Sequence, residues 1–208
     1  MRSILCFGDS NTWGFNPVNK ERFGRPIRWT GVLQQELGSD YAVIEEGCNG
    51  RTTVWDDPIE GYKNGQDYLV PCLASHRPID VVVLMLGTND LKKRFSLSAF
   101  DIASGVGVLV NLIQKSDCGP QGGPPALLVL VPPPLARLTE FAGMFEDASE
   151  KSKHLSEQYQ RMALEQHCQL LDTSQVIRSS DIDGIHLEAG DHKKLGQAVA
   201  GRLRLMLR

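Results

Sequence analysis

The stretch Val81-Val82-Val83-Leu84-Met85-Leu86 is apolar at every position and is followed by the polar segment Thr88-Asn89-Asp90. A strand with apolar side chains on both faces is typical of a parallel sheet covered on both sides, because a sheet with one wet face alternates apolar and polar residues. The hexapeptide therefore predicts a buried parallel strand, and the polar segment predicts the loop at its carboxyl end.

Four more short apolar runs predict the other strands of this sheet, and segments with helical spacing of apolar residues lie between them. The predicted strands are 4–7, 41–44, 81–86, 127–131 and 169–171, and the predicted helices are 29–37, 66–75, 98–115, 147–167 and 189–207. Because strands and helices alternate and crossovers are right-handed, the fold class is α/β: a three-layer α/β/α sandwich with a five-stranded parallel sheet.

Polar motifs follow four of the five predicted strands. Ser10 follows the first strand, Gly50 the second and Asn89 the third, while Asp183-Gly184-Ile185-His186 comes after the fifth. Ligands of such sheets bind at the carboxyl ends of the strands, so we expect the four motifs to converge at one edge.

Ser10, His186 and Asp183 are the residue types of a nucleophilic triad. A serine hydroxyl needs a base to take its proton, and the base needs a third group to fix its tautomer and orientation. Asp183 and His186 are three positions apart, a spacing that brings side chains together on a helical turn. We expect Asp183 to bind one imidazole nitrogen and Ser10 to face the other.

Acyl transfer also requires hydrogen-bond donors to the oxygen that becomes negative in the tetrahedral intermediate. Gly50 offers a backbone N–H with no side chain in the way, and Asn89 offers a side-chain amide. The N–H of Ser10 itself is the third candidate for this oxyanion hole.

Aromatic and apolar residues near these motifs are candidates for a substrate pocket. Trp13 and Phe15 come just after the candidate nucleophile, Ile185 precedes the histidine, and Trp55 lies in a long loop rich in Asp, Pro and Gly. The partly apolar segment 135–146 predicts a flap over the site. Of these residues, Trp13, Phe15 and Ile185 are the predicted substrate contacts.

The motifs resemble those of the SGNH (GDSL-type) hydrolases, whose signature serine, glycine, asparagine and histidine stand in separate blocks. Ser10, Gly50, Asn89 and His186 occupy these positions. The arylesterase and acyltransferase (perhydrolase) branch is similar over essentially the whole chain, in the blocks 8–14, 28–31, 45–47, 51–53 and 85–90. This resemblance implies a flavodoxin-like sandwich, a serine esterase without metal or cofactor, a small acyl pocket and a tendency to form homo-oligomers.

One position departs from the family pattern, and the glycine of the pattern has two candidates. Asn11 stands where the nickname GDSL expects leucine, which leaves the serine intact. Gly47 competes with Gly50 for the oxyanion role, and Gly50 is preferred because it directly precedes the segment Arg51-Thr52-Thr53.

Other polar residues have simpler interpretations. Asp9 and Asp90 are expected to shape their loops through local hydrogen bonds, and Arg51 to hold its loop through a buried ion pair. The remaining histidines are expected to be solvated or to cap helices. They are His76, His154, His167 and His192.

Two alternatives to a triad use the same residues. A metal site is conceivable from four side chains near the C-terminus, but the paired spacing of zinc motifs is missing. These four are Asp181, Asp183, His186 and His192. A flavodoxin-like phosphoacceptor or binding module would use Asp9 and Asp90, but it also needs a lysine after the fifth strand, where Asp172-Thr173-Ser174 stands.

The resulting prediction is a serine esterase that hydrolyses short-chain acyl or aryl esters through an acyl-enzyme. Water completes hydrolysis, and an alcohol or a peroxide that replaces water would receive the acyl group instead. A carbohydrate deacetylase and a thioesterase remain alternatives on the same fold.

Length and charge limit the classes of partner. The 208 residues are predicted to form one domain, 1–208, and the 22 basic and 25 acidic side chains give a formal charge of −3. This near balance argues against a nucleic-acid partner or an anionic membrane surface, and the apolar runs are too short to cross a bilayer. We therefore expect a small-molecule ester as the partner.

The five cysteines predict a reducing environment. They stand at 6, 48, 72, 118 and 168, an odd number without the short paired spacing of a disulfide framework or a zinc knuckle. The nine residues before Ser10 leave no room for a signal peptide. We therefore expect a cytoplasmic location, unless a leader has been removed.

Overall fold

The sheet of the computed structural model, which describes residues 1–207, has five parallel strands in the order β2-β1-β3-β4-β5. Their bounds are β1 Arg2–Gly8, β2 Tyr41–Gly47, β3 Val81–Met85, β4 Ala126–Val131 and β5 Gln169–Asp172. This order is that of flavodoxin-like sandwiches. The predicted α/β fold with a five-stranded parallel sheet is thus confirmed.

Seven α-helices are present in the described chain, and those that follow α1 cover the two faces of the sheet. They are α1 Ser10–Trp13, α2 Trp29–Leu37, α3 Gly65–His76, α4 Ala99–Gln114, α5 Ala148–Lys153, α6 Leu155–Glu165 and α7 Ala189–Met206. Helices α2 and α7 pack on one face, while α3, α4, α5 and α6 contribute to the core on the other. The predicted three layers follow from this division.

The central strand β3 shows why the apolar hexapeptide specifies this architecture. Val81 and Val83 pack in the core beneath α2 and α7, whereas Val82 and Leu84 pack in the opposite core. All five residues of β3 are buried. Because both faces of the strand are covered, neither face carries a polar residue.

The predicted helix 147–167 is wrong in one respect, because it is two helices. Helix α5 ends at Lys153 and α6 begins at Leu155, with His154 between them. The hydroxyl of Ser152 donates to the carbonyl of Ser149 and accepts the backbone N–H of Leu135. A serine that binds the carbonyl three residues back competes with the helical ladder, which favours a bend here.

His192 is a second correction, because it is neither solvated nor a cap. It is fully buried near the start of α7, where its Nδ1 accepts the backbone N–H of Trp29 at 3.2 Å and its ring meets Phe23 edge-on. Burial, which disfavours the charged form, lowers the pKa of His192 to about 4. His154 and His167 are exposed as expected, and His76 is half-buried and bound to Glu46.

None of the helices in residues 1–207 combines the length and the apolar composition that crossing a bilayer requires.

Protonation of His192 is expected to destabilise the fold in mild acid. Between pH 6.5 and pH 4 the unfolded chain binds a proton on this side chain that the folded chain excludes, so the free energy of unfolding falls as the pH is lowered. From pH 7 to pH 5 this contribution amounts to about 2 kcal/mol. Urea denaturation of wild type and His192→Asn at pH 7 and at pH 5 measures this contribution to the free energy of unfolding.

The loss of stability between pH 7 and pH 5 should be smaller in His192→Asn by that amount, because asparagine does not titrate. His154→Asn, which changes an exposed histidine, should keep the wild-type pH dependence. Equal pH dependence in wild type and His192→Asn would show that His192 does not titrate differently on folding.

Candidate active site

Ser10 is the first residue of a one-turn helix that begins where β1 ends. The carboxylate of Asp9 accepts the backbone N–H of Asn11 at 3.0 Å and so caps α1. Gly14 ends the turn in the left-handed conformation and donates its N–H to the carbonyl of Ser10 at 2.9 Å. Four residues are too few to show helical periodicity, so α1 was not predicted from sequence.

Asp183 and His186 meet in a turn that the aspartate itself organises, rather than in the helical turn that their spacing suggested. Asp183 Oδ1 accepts the backbone N–H groups of Ile185 at 2.8 Å and of His186 at 2.9 Å. Its second oxygen, Oδ2, lies 2.6 Å from His186 Nδ1. Burial alone would raise the pKa of Asp183, but the hydrogen bonds from His186 and the two backbone groups outweigh it and lower that pKa.

The folded chain brings the imidazole of His186 to Ser10 across 176 residues. His186 Nε2 lies 2.9 Å from Ser10 Oγ, so the two residues and Asp183 form one hydrogen-bonded chain. Both Ser10 and His186 are 6% exposed. The imidazole is enclosed by Phe15, stacked at 4.1 Å, and by Phe141, edge-on at 6.0 Å between ring centroids.

Asn11 ties the turn that carries Ser10 to the turn that carries His186. Its Oδ1 accepts the backbone N–H of Leu187 at 3.0 Å, and its Nδ2 donates to the carbonyl of Ile185 at 3.4 Å. Asn11 is 2% exposed. From sequence, Asn11 was only a departure from the nickname GDSL and had no predicted role. A polar side chain beside a candidate nucleophile was the available signal.

The loop after β2 places Gly50 at the cavity and Gly47 elsewhere. Gly50 has φ +81°, in the left-handed region that favours glycine, and lines the same cavity as Ser10. Gly47 is the last residue of β2, and a Cβ atom there would lie 2.1 Å from the backbone nitrogen of Trp13. The close approach explains why position 47 is a glycine.

Asn89 is oriented by the same loop. Its Nδ2 donates to the carbonyl of Arg51 at 3.1 Å, which leaves the second hydrogen of the amide for another acceptor. Asp90 accepts the backbone N–H of Thr53 at 3.0 Å and its hydroxyl at 2.5 Å. The loop after β2 is therefore bound, through Arg51 and Thr53, to the loop after β3.

Asp9 and Asp90 are buried carboxylates that shape these loops, in agreement with the interpretation from sequence. They are 1% and 0% exposed. Burial raises the pKa of each to about 6, although hydrogen bonds from Asn11 to Asp9 and from Thr53 to Asp90 act in the opposite direction. Neither carboxylate lines the cavity that contains Ser10.

Arg51 holds its loop, but the predicted buried ion pair is wrong. Its Nη1 donates to the carbonyl of Gly8 at 2.9 Å and to the carbonyl of Glu46. The guanidinium lies over the rings of Phe7 and Tyr68, 4.2 and 5.1 Å from their centroids. Among the ion pairs found within residues 1–207, none involves Arg51.

A cavity of about 290 Å³ opens beside the hydrogen-bonded chain. Its apolar wall consists of Phe15, Ile185 and three side chains of the predicted flap, Phe141, Met144 and Phe145. Its polar lining comprises Ser10, Asn49, Gly50, Glu60, Asn89, Lys92 and His186. Asn49, Glu60 and Lys92 were not anticipated from the sequence, because each is an ordinary polar residue of a loop.

Trp13 and Trp55 do not belong to this wall. The ring of Trp13 lies 5.2 Å beneath the guanidinium of Arg22, and Trp55 is 38% exposed. Neither side chain lines the cavity among the residues that the structure describes. Of the three predicted substrate contacts, the structure brings Phe15 and Ile185 to the cavity and Trp13 to a position outside it.

A group of potential metal ligands lies elsewhere in the molecule. The ligand atoms of Glu46, Cys72 and His76 are all within 4.8 Å of one another, and Glu46 Oε1 lies 2.8 Å from His76 Nε2. Burial, with the negative charge of Glu46, raises the pKa of Cys72 to about 12, so this thiol keeps its proton at neutral pH. The alternative set of Asp181, Asp183, His186 and His192 forms no comparable group within residues 1–207.

The chain is similar to known esterases in sequence and fold. The chain matches the GDSL-like lipase/acylhydrolase family over residues 6–193. The native aryl esterase of M. smegmatis is 42% identical, with a TM-score of 0.94 and coverage of 98% of this chain and 99% of that chain. A carbohydrate acetylesterase from Sinorhizobium meliloti is also 42% identical, with a TM-score of 0.95 and coverage of 99% and 100%.

A third relative is a longer protein. The acetylxylan esterase of Xylanibacter ruminicola is 22% identical over 218 residues, which include 97% of this chain and 43% of that protein. The chain thus spans less than half the length of this relative. The family match over residues 6–193 and the two solved structures show that this chain belongs to the GDSL-like lipase/acylhydrolase family and is a carboxylic ester hydrolase.

Proposed function

We propose that this esterase hydrolyses short-chain acyl or aryl esters with Ser10 as nucleophile, His186 as general base and Asp183 as the group that orients the imidazole. The observation that carries this proposal is the hydrogen-bonded chain from Ser10 Oγ through His186 to Asp183, with distances of 2.9 and 2.6 Å. The scheme uses no metal or cofactor.

In the first step, Ser10 Oγ attacks the ester carbonyl carbon while its proton moves to His186 Nε2. Asp183, whose pKa is lowered, stays ionised and stabilises the imidazolium that forms. The tetrahedral intermediate then expels the alcohol or phenol, which takes the proton from Nε2. An acyl-Ser10 ester remains.

The negative oxygen of the tetrahedral intermediate requires fixed donors. We assign this role to the backbone N–H groups of Ser10 and Gly50 and to the free hydrogen of the Asn89 amide. The support is that all three residues line one cavity and that Asn89 is already oriented by the carbonyl of Arg51. One such donor typically contributes about 10²–10³ to kcat.

In the second step, water loses a proton to His186 and attacks the acyl carbon, which releases the acid and regenerates Ser10. An alcohol or a peroxide that takes the place of water would receive the acyl group. The apolar wall formed by Phe15, Phe141, Met144, Phe145 and Ile185 favours such transfer, because it limits the water near the acyl-enzyme.

Esters of carbohydrates are a second candidate substrate class. Asn49 lines the cavity, and its buried Oδ1 has no hydrogen-bond partner within residues 1–207, so it offers an acceptor for a hydroxyl group of a substrate. Two relatives are described as a carbohydrate acetylesterase and an acetylxylan esterase. A thioesterase would need no different catalytic group and differs only in substrate.

The geometry argues against a phosphoacceptor module. Asp9 and Asp90 are buried and accept hydrogen bonds from Asn11 and Thr53, whereas a phosphoacceptor aspartate must be reachable by a metal ion and a phosphoryl donor. At the end of β5 and directly after it stand Asp172, Thr173 and Ser174 rather than the lysine that such a module uses.

We also propose a cytoplasmic location and a homo-oligomeric state. The support for the first is that all five cysteines are free thiols, as a reducing compartment would keep them. The support for the second is the resemblance to the arylesterase branch.

The Ser10→Ala variant tests the nucleophile. We expect kcat for p-nitrophenyl acetate to fall by about 10⁴-fold or more, because no other group can form the acyl-enzyme. Ser104→Ala, which removes an exposed hydroxyl bound to the carbonyl of Phe100, should keep the wild-type kcat. Near-normal hydrolysis by Ser10→Ala would contradict the mechanism.

The Asn11→Ala variant tests whether the tie between the two catalytic turns matters for turnover. It leaves the buried N–H of Leu187 unpaired, at a cost of about 1–3 kcal/mol, and frees the His186 turn to move. Because a displacement of about 1 Å can cost 10²-fold, we expect kcat to fall by about 10- to 10²-fold.

Steady-state kinetics and urea denaturation of Asn11→Ala measure the two effects separately. Asn19→Ala, at an exposed asparagine paired with Glu21, is the matched control. A kcat within threefold of wild type would show that Asn11 stabilises the fold without positioning His186.

A panel of p-nitrophenyl esters tests the size of the acyl group. A cavity of about 290 Å³ is at the lower end of ligand pockets, so kcat/KM should be highest for acetate to butyrate and at least about tenfold lower for octanoate. One sugar acetate and one thioester complete the panel. Preference for octanoate would contradict the short-chain assignment, and preference for the thioester would favour a thioesterase.

A further inference from the structure

A buried ammonium group lies beside the candidate oxyanion donors. Lys92 is 2% exposed, and its Nζ lies 2.5 Å from Glu60 Oε1 and 3.3 Å from Asp57 Oδ2. Both Lys92 and Glu60 line the cavity that contains Ser10. A lysine is rarely buried unless it is paired, so the pair needs a physical reason at this position.

Lys92 contacts the turn of Asn89 and the surroundings of Gly50, the two places that carry proposed oxyanion donors besides Ser10. Its backbone N–H donates to the carbonyl of Asn89 at 3.2 Å and closes the 3₁₀ turn that carries the Asn89 amide. Its side chain holds Glu60, whose carboxylate packs so closely on Gly50 that a methyl group at position 50 would collide with Glu60 Oε2. One residue therefore links Asn89 to the loop beside Gly50.

The other charges of this cluster are already matched. Asp57 accepts the backbone N–H groups of Ile59 and Glu60 and pairs with Arg94 Nη1 at 2.8 Å. Burial would raise the pKa of Asp57, but these hydrogen bonds and the charge of Lys92 lower it to about 2, so it is ionised at neutral pH. Arg94 Nη1 also lies 3.9 Å from Glu60 Oε1, so Lys92, at 2.5 Å, is the cation closest to Glu60.

This arrangement has an electrostatic consequence for ester hydrolysis. In the proposed mechanism the backbone N–H of Gly50 binds the substrate oxygen on which negative charge develops. A carboxylate that packs against Gly50 opposes the development of that charge. Solvent screens this repulsion only in part, because the Glu60 side chain is 30% exposed and that of Lys92 is 2% exposed. An ammonium group bound to that carboxylate offsets the repulsion.

We propose that Lys92 is a positioning residue for the esterase reaction: it neutralises Glu60 and holds it against Gly50, so that the oxyanion hole can accept negative charge. The inference rests on the proposed triad and oxyanion hole. It predicts that the charge of Glu60 becomes harmful to turnover when Lys92 is removed.

A double-mutant cycle separates this role from that of a simple structural latch. In Lys92→Met the carboxylate of Glu60 keeps only Arg94, at 3.9 Å, as an ion-pair partner. It should lower kcat for p-nitrophenyl acetate by about 10- to 10²-fold, with KM within threefold of wild type, because the effect falls on the transition state. In Lys92→Met/Glu60→Gln the negative charge is gone as well. We expect this variant to regain at least fivefold in kcat over Lys92→Met.

Three control variants show whether the effect on kcat depends on the charges of Lys92 and Glu60. Lys92→Arg, which keeps the charge, should retain at least a third of the wild-type kcat, and Glu60→Gln is the reference for the double variant. Lys93→Met removes the neighbouring exposed lysine, which pairs with Asp147, and should leave kcat unchanged. Thermal denaturation of each variant measures stability independently of turnover.

Two outcomes overturn the proposal while Ser10→Ala remains inactive. One is a kcat of Lys92→Met within threefold of wild type, and the other is a double variant no more active than Lys92→Met. Where Lys92→Met alone fails to fold, the double variant is compared with Glu60→Gln: a kcat within threefold supports the proposal and a lower one overturns it. Activity of Ser10→Ala in the same assay would instead overturn the proposed function.

Discussion

The position of β1 between β2 and β3 is the constraint from which the site follows. Because the three strands are parallel and adjacent, the loops that leave their carboxyl ends lie side by side. These loops carry Ser10, Gly50 and Asn89, residues far apart in sequence. His186 reaches the same edge from beyond β5, and Asn11 binds the backbone on both sides of it. The sheet thus supplies the approximate convergence, and side-chain hydrogen bonds supply the final distances.

Buried polar side chains beneath this edge hold the loops in place through hydrogen bonds. Asp9 caps the turn of Ser10, Asp90 holds Thr53, and Arg51 binds the carbonyls of Gly8 and Glu46. The contact of Asp90 with Thr53 joins two loops, and Arg51 joins its loop to the ends of β1 and β2. The raised pKa values of the two aspartates indicate that burial of these carboxylates is unfavourable at neutral pH. Their retention is consistent with a need for precise loop geometry at the site.

The sequence was sufficient for the features that local patterns encode. Apolar runs predicted the five strands, and strand-end motifs predicted that Ser10, Gly50, Asn89 and His186 converge at one edge. The sequence was insufficient for side-chain positions that depend on packing between distant segments. The burial of His192 depends on the start of α2, the partners of Arg51 are backbone carbonyls and rings, and Trp13 turns toward Arg22. Such contacts join segments whose relative placement only the fold determines.

The roles of Asn11 and Lys92 escaped the sequence for a related reason. Each side chain binds a group that is distant in sequence: Asn11 binds backbone more than 170 residues away, and Lys92 binds the carboxylate of Glu60, 32 residues away. They bind different halves of the site, because Asn11 contacts the turn of His186 and Lys92 contacts Glu60 beside the proposed oxyanion donors. Since triad geometry and oxyanion electrostatics contribute separately to turnover, a site can retain an intact triad and still be slow. The proposed catalytic residues are therefore best understood together with the polar side chains that join their loops.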